Sequence, residues 1–402
     1  MKLASHFFPI VTVTLIAAVF SHAQVAGERP EASRSSAADR LIVKVLSASH
    51  DLDLDRRSTF YPFPFAPTDS IAKVYRERLA RYSLRLDGWS ELDAFRRALA
   101  WVGTRWLHHS DNTVPPSVST LDLLDRAQNG ERFTCVEYAR LLVDVLTAYG
   151  YPARMVGLSK QDIETRPRGA RHVAVEAWST TYHKWVFLDP QWGIVPCLGG
   201  EWLTAYELVT AISRGELGSI EFIACDEVCN YYRVSASDHC EHYRSFLASY
   251  TGFLDYPYVY EGKVVVMMYI CRDSLPLPLT FQGMPMSGIF YTRSWQKAYG
   301  SLDQVHTTFF YAGEYSPTNG FSAPEYTVEL ATTMPWVTRY EVRLDGGQWQ
   351  TVSGVKFRWK LHQGINVFEV RAIGFNSTSS RIASVKVFWG KPSELSKFTS
   401  SQ

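Results

Sequence analysis

Apolar positions recur at helical spacing in the first half of the chain and alternate in much of the second. Ile71, Val74, Tyr75, Arg78 and Leu79 have helical spacing from Ser70. Ser90-Glu91-Leu92-Asp93 reads as a capped start for a second helix. Its stripe of Leu92, Phe95, Ala98, Leu99, Val102 and Trp106 reads as core. Pro115-Pro116 break the chain, and Thr120 is expected to cap a short helix reaching about Ala127. Gln128-Asn129-Gly130 makes a turn. Thr134 and Glu137 then have capping-box spacing, which places Thr134 at the cap and Cys135 at the first helical position. Tyr138, Leu141, Leu142, Val145, Leu146 and Tyr149 face inward, and Gly150 and Pro152 stop the helix.

Strand patterns follow. Residues 154–158 form a short strand, and 159–170 read as a surface loop. His172, Ala174, Glu176 and Trp178 share one face of the next strand, with Val173, Val175 and Ala177 on the other. Trp185, Phe187 and Asp189 share a face of the strand after it. A tight turn centred on Thr180-Thr181 would set His172 directly opposite Asp189. Glu176 on the same face is a candidate second carboxylate near the site, the expectation being an ion pair or hydrogen bond at the sheet edge. Trp178, Trp185 and Trp192 read as core, and His183 as an exposed turn residue. Residues 201–215 and 243–250 look helical, and β patterns begin at 264–269, 279–281 and 307–311. Five strand-like runs at 326–330, 339–344, 354–359, 365–373 and 383–388, with turns at Asp345-Gly346-Gly347 and Gln363-Gly364, predict a small β-sandwich.

Composition changes the picture in three ways. The chain has 402 residues, 46% hydrophobic and 20% charged, which is globular composition with room for two or three domains. With 41 basic and 40 acidic residues there is no electrostatic footprint for nucleic acid. At the N-terminus, Lys2, an apolar run over 7–20 and Ser21-His22-Ala23 have the form of a cleaved secretory signal. The expectation is a secreted, periplasmic or extracellular protein with no membrane span after cleavage behind Ala23. In such a compartment disulfides are the default for the six cysteines, Cys135, Cys197, Cys225, Cys229, Cys240 and Cys271. Cys225, Cys229 and Cys240 lie near His239 and His242, but their spacing matches no zinc pattern, so neither a metal nor another cofactor is expected.

The candidate chemistry lies at Cys135, His172 and Asp189. A thiol at a helix start meets unpaired N–H groups and the positive end of the helix dipole, both of which favour thiolate. An imidazole and a carboxylate on neighbouring strands complete the equipment for covalent acyl transfer. Gln128 or Asn129 is a candidate oxyanion donor, and Phe133 is the bulky neighbour most able to obstruct the thiol.

These residues also carry a resemblance. Cys135-x-x-Tyr138-Ala139-x-x-Leu142, Gly150-Tyr151-Pro152-Ala153-Arg154, His172-x-x-x-Glu176-x-Trp178 and Lys184-Trp185-Val186-x-x-Asp189-Pro190 resemble the transglutaminase-like superfamily. The resemblance implies a papain-like α+β fold with the cysteine helix packed on an antiparallel sheet. It also implies Cys135 as nucleophile, His172 as general base and acid, and Asp189 as the group that orients the imidazole. A protein or peptide substrate follows, its carboxamide or peptide bond being hydrolysed or transferred to an amine. A non-catalytic extracellular binding or scaffold protein retaining the fold is the alternative. The C-terminal runs resemble immunoglobulin-like or fibronectin-like modules, and Asn376-Ser377-Thr378 is a glycosylation sequon. The expected layout is a signal at 1–23, a flexible arm at 24–66, a catalytic domain at 67–250, a β-rich middle segment at 251–322 and a β-sandwich at 323–392.

Overall fold

The structure is a computed structural model that describes residues 40–49, 69–163, 165, 169–260, 263–275, 280–281, 284–285, 289–316 and 319–399. The signal segment and most of the arm lie outside the described residues. The fold is α+β.

Four helices precede the main sheet: α1 (Asp69–Arg81), α2 (Glu91–Gly103), α3 (Thr120–Gln128) and α4 (Cys135–Ala148). In α1 the buried positions are Ala72 and Leu79, while Ile71 and Val74 stay exposed, so the face toward α4 is rotated from the expected stripe. Ser90 caps α2 as expected. The cap of α3 is Ser119, one residue earlier than Thr120, whose hydroxyl instead donates to Asp144 at 2.6 Å. Leu141, Leu142, Val145 and Leu146 of α4 are fully buried in the core between helices and sheet. Each such side chain contributes about 1.5–3 kcal/mol, so the cysteine helix is fixed chiefly by its own apolar stripe.

The main sheet contains β2 (Ala153–Ser159), β3 (Arg171–Ser179) and β4 (Lys184–Leu188). Between β4 and the rest of the sheet the chain forms β5 (Ile194–Leu198), β6 (Glu201–Trp202), α5 (Ala205–Ser213), β7 (Glu221–Ala224), α6 (Asp226–Tyr232) and α7 (Ala236–Leu247). The helix expected over 243–250 thus begins seven residues earlier, where Ser235 caps it through the Asp238 N–H. β8 (Phe253–Tyr260) then pairs with β2, β9 (Lys263–Ile270) pairs with β8, and Ile289–Thr292 adds in parallel to β9. The middle segment therefore extends the sheet of β2, β3 and β4, and residues on both sides of position 250 share one core.

The C-terminal part has two sheets around a shared core. One holds Val305–Tyr311, Glu325–Thr332 and Lys356–Lys360; the other holds Val337–Leu344, Gln350–Val352, Gly364–Gly374 and Ala383–Gly390. Its outer strand is β1 (Ile42–Ala48), antiparallel to Ala383–Gly390. These seven residues fall in the span read as a flexible arm. Too few side chains of β1 turn inward to give a clear alternation, and its partner lies over 300 residues away in sequence.

Contacts made by this part and by the segment leading into it tie them to the main sheet. Asp303, buried, accepts from His183 Nδ1 at 2.5 Å and from Arg381 Nε at 3.2 Å. Asn376 Nδ2 donates to the Gly150 carbonyl at 3.0 Å. Arg154 Nη1 donates to the Ala298 carbonyl at 2.7 Å.

Candidate active site

Thr134 has extended backbone (ψ 177°), and its hydroxyl accepts from the Val136 N–H. Glu137 completes the capping box from below: Oε2 accepts from the Thr134 N–H at 3.1 Å and from its hydroxyl at 2.7 Å. Oε1 of Glu137 takes the Val114 N–H at 2.8 Å, anchoring the box to the preceding loop. Cys135 is thereby fixed as the first helical residue. Its thiol is free and half-buried. Phe133 does not obstruct it, because its ring is fully buried edge-on to Trp106 at 5.1 Å between centroids.

β3 and β4 form a hairpin whose register differs from the expected one. Ser179 pairs with Lys184 and Val175 with Leu188, so residues 180–183 make the loop and its centre moves one residue on. His183 takes φ +52°, and Glu91 accepts from the Ser179 and Thr180 hydroxyls and the Thr180 and Thr181 N–H groups. In this register Asp189 is a diagonal neighbour of His172 on the same face. The two still meet, because Asp189 leaves the ladder and pairs with Ile194 across a turn containing Gly193 (φ +61°). A Cβ on Gly193 would lie 2.5 Å from the Val228 side chain, so glycine is required there twice over.

His172 Nε2 lies 2.7 Å from Asp189 Oδ2, and both side chains are buried. Tyr243 donates to the same oxygen at 2.9 Å, and the Gln191 and Trp192 N–H groups reach Oδ1 at 3.2 and 3.3 Å. Four donors thus fix the orientation of the carboxylate. With Nε2 engaged by Asp189, the buried imidazole also interacts electrostatically with the Cys135 thiol. The three predicted residues are therefore brought together.

Their charges are coupled. Burial disfavours charge on both Cys135 and His172. The Asp189 charge and hydrogen bonds to Asp189 and Cys135 overcome this at the imidazole, raising His172 to about 10. The His172 hydrogen bond and charge bring the Cys135 thiol below its ordinary value against the same burial. Thiolate and imidazolium stabilise each other, which is the state that attacks a carbonyl.

Other expectations meet a different outcome. Asn129 is exposed and its amide donates to the Asp125 carbonyl at 3.2 Å, so it finishes α3; Gln128 is exposed beside it. Glu176 lies in the interior of the sheet, opposite Arg154 on β2, both fully buried. Trp178 and Trp185 are core, whereas Trp192 is half-buried against α7. The cysteine and histidine cluster disperses. Cys240 Sγ reaches the Phe222 carbonyl and His239 the Trp192 carbonyl, and all six cysteines are unpaired thiols. Each is held on a different element or helix turn, so proximity in sequence does not become a shared site.

Sequence reasoning missed Tyr243, Phe246 and His108. The Phe246 ring meets the His172 ring edge-on at 5.0 Å. His108 pairs with Phe133 just before α4, and its imidazole is held below the usual range by desolvation and by the His172 charge. The 3–4 spacing of His239, Tyr243 and Phe246 was visible, but not which site it would face.

Residues 83–190 match the family model of the transglutaminase-like superfamily, so this part of the chain is a transglutaminase-like domain. No curated protein matches the sequence. Among solved structures, a putative cysteine protease from Cytophaga hutchinsonii is 18% identical over 32% of this chain, with a TM-score of 0.24. The match spans 41% of that protein's length. Red sea bream transglutaminase is 10% identical over 71% of this chain and 68% of that one, with a TM-score of 0.20.

Proposed function

We propose that the transglutaminase-like domain makes this protein a secreted thiol enzyme acting on carboxamide or peptide bonds through a Cys135 thioester. The observation that supports this reading is the buried His172–Asp189 hydrogen bond with the Cys135 thiol, at the start of α4, coupled to the same imidazole. In the first half-reaction the Cys135 thiolate attacks the carbonyl carbon. The His172 imidazolium gives its proton to the departing nitrogen, and ammonia or an amine leaves. Water or an acceptor amine then attacks the thioester while His172 takes its proton, and Cys135 is released as thiolate. Asp189 holds the imidazole in place and stabilises its charged form without taking the proton itself. The positive end of the α4 dipole supplies positive potential where the oxyanion forms.

The test is to trap the acyl-enzyme from a glutamine-containing peptide library and read the mass added to Cys135. Water alone as acceptor gives a peptidase or amidase, and incorporation of a supplied amine gives a transglutaminase. No adduct on Cys135, with the protein folded, would refute the reading.

A further inference from the structure

The helix α7 and the residues just after it turn one face toward His172 and Asp189. His239 Nε2 lies 2.6 Å from the Trp192 carbonyl, the Tyr243 hydroxyl donates to Asp189 Oδ2 at 2.9 Å, and Phe246 and Tyr250 set their rings 5.0 and 6.2 Å from that of His172. Among these four, Tyr243 alone places a polar atom on the line of reacting groups. It is fully buried, and so is Asp189. Its ring packs against Phe222 at 5.2 Å, Trp192 at 5.4 Å and Phe246 at 6.2 Å. Phenylalanine would fill that space equally well, so packing does not call for a hydroxyl. The hydroxyl has one partner of consequence, the oxygen that also receives His172 Nε2.

We propose that Tyr243 is a positioning residue: its hydroxyl holds Asp189 Oδ2 in place, takes up part of the carboxylate's charge, and so sets the pH window in which the Cys135–His172 ion pair exists. The proposal rests on the reading of Cys135 as the nucleophile. Among the described residues, the titratable and charged groups around this pair include Cys135 on α4, His108 before α4, Tyr232 on α6, His239 and Tyr243 on α7, and Tyr250 after α7 with the Lys160 ammonium over its ring. Burial and the Asp189 charge keep the Tyr243 phenol protonated well above its ordinary range, so it remains a donor. Removing it takes one donor from Oδ2 and leaves the carboxylate's charge to act more fully on the imidazole. The imidazolium is then held more tightly and loses its proton at higher pH. The thiolate, facing a fuller negative charge, also forms at higher pH, so both limbs of the window move up.

The test is the rate of Cys135 alkylation by iodoacetamide as a function of pH, in the full chain and in Tyr243→Phe. The expected result is an upward shift of both limbs by about half a pH unit, with melting curve and near-ultraviolet dichroism retained. Replacing Tyr243 biosynthetically with a fluorotyrosine, a stronger donor of the same shape, should move the limbs down, and this arm stands even where the phenylalanine variant folds poorly. Unchanged limbs in folded protein, or lower reactivity without displacement of the limbs, would overturn the proposal and leave Tyr243 a packing residue. If Cys135 of the unaltered protein reacts no faster than a free thiol, the nucleophile reading fails with it, and that is visible in the unaltered curve alone.

Discussion

Replacing Glu176 by glutamine keeps the shape of the side chain and removes its charge. In the structure four donors converge on its two oxygens. Arg154 Nε and Nη2 meet Oε2 at 3.1 and 2.8 Å, and the Ala205 N–H and the Tyr299 hydroxyl meet Oε1 at 2.8 Å each. An amide has one oxygen, so whichever way it is flipped an N–H pair faces other donors. Arg154 keeps its charge, fully buried, with the Ala298 carbonyl and the faces of Trp185, Tyr256 and Tyr299 as remaining partners. Breaking one side of a buried ion pair costs about 3–5 kcal/mol. For a protein of this size that corresponds to a fall in Tm of about 4–6 °C. Adding Arg154→Met removes the stranded charge and frees the amide oxygen for Ala205 and Tyr299. The double variant should therefore recover about 1–2 kcal/mol relative to Glu176→Gln alone. Thermal and urea melts of wild type, both single variants and the double variant measure this. A Glu176→Gln loss below about 1 kcal/mol, or a double variant less stable than the sum of the singles, would refute the account of this pair.

Other outcomes follow from the same structure. Gly157→Ala would place a Cβ 2.1 Å from Asp255 Oδ1 and disturb the Arg171–Asp255 ion pair, so melts should show a loss of about 2 kcal/mol or more. Glu137→Ala removes three hydrogen bonds beneath the cysteine helix, and should both lower Tm and slow Cys135 alkylation, measured on the same sample. Because the folded-state value of His172 is raised to about 10, its stabilisation is complete below the ordinary histidine range and is lost as pH rises through about 10. Cys135, whose value is lowered, contributes above its ordinary range and loses that contribution as pH falls through the depressed value. A His172→Gln variant should remove the alkaline part of this dependence in melts recorded across pH.

The elements that set the site were largely legible because each had a local signature. Thr134 and Glu137 marked the helix start, and the 3–4 stripe from Tyr138 to Leu146 marked its buried face. The proximity of His172 and Asp189 was foreseen for an incomplete reason. Direct opposition needed a turn at Thr180-Thr181, whereas Glu91, distant in sequence, holds a loop centred one residue later. The contact survives because the Ile194 pairing and Gly193 turn re-aim Asp189, a tertiary effect with no local signal. Long-range pairing also hid the rest. β1 finds its partner at Ala383–Gly390, and β8 and β9 join a sheet begun a hundred residues earlier. Alternation reported strands there without reporting which sheet they would complete. Glu176 shows the same limit, since a carboxylate in a strand pattern reads as an edge residue until Arg154 is known to oppose it.

The most direct test of the central claim uses the six thiols of the chain as mutual controls. Burial raises Cys197, Cys225, Cys229, Cys240 and Cys271 above the ordinary thiol value, Cys225 to about 12, whereas Cys135 is lowered despite its burial. Site-resolved mass spectrometry of limited iodoacetamide labelling at neutral pH should find Cys135 modified first, and His172→Gln should remove that advantage. Equal labelling of Cys135 and the other cysteines, or preference for Cys135 unchanged in His172→Gln, would contradict the claim that His172 makes Cys135 a nucleophile.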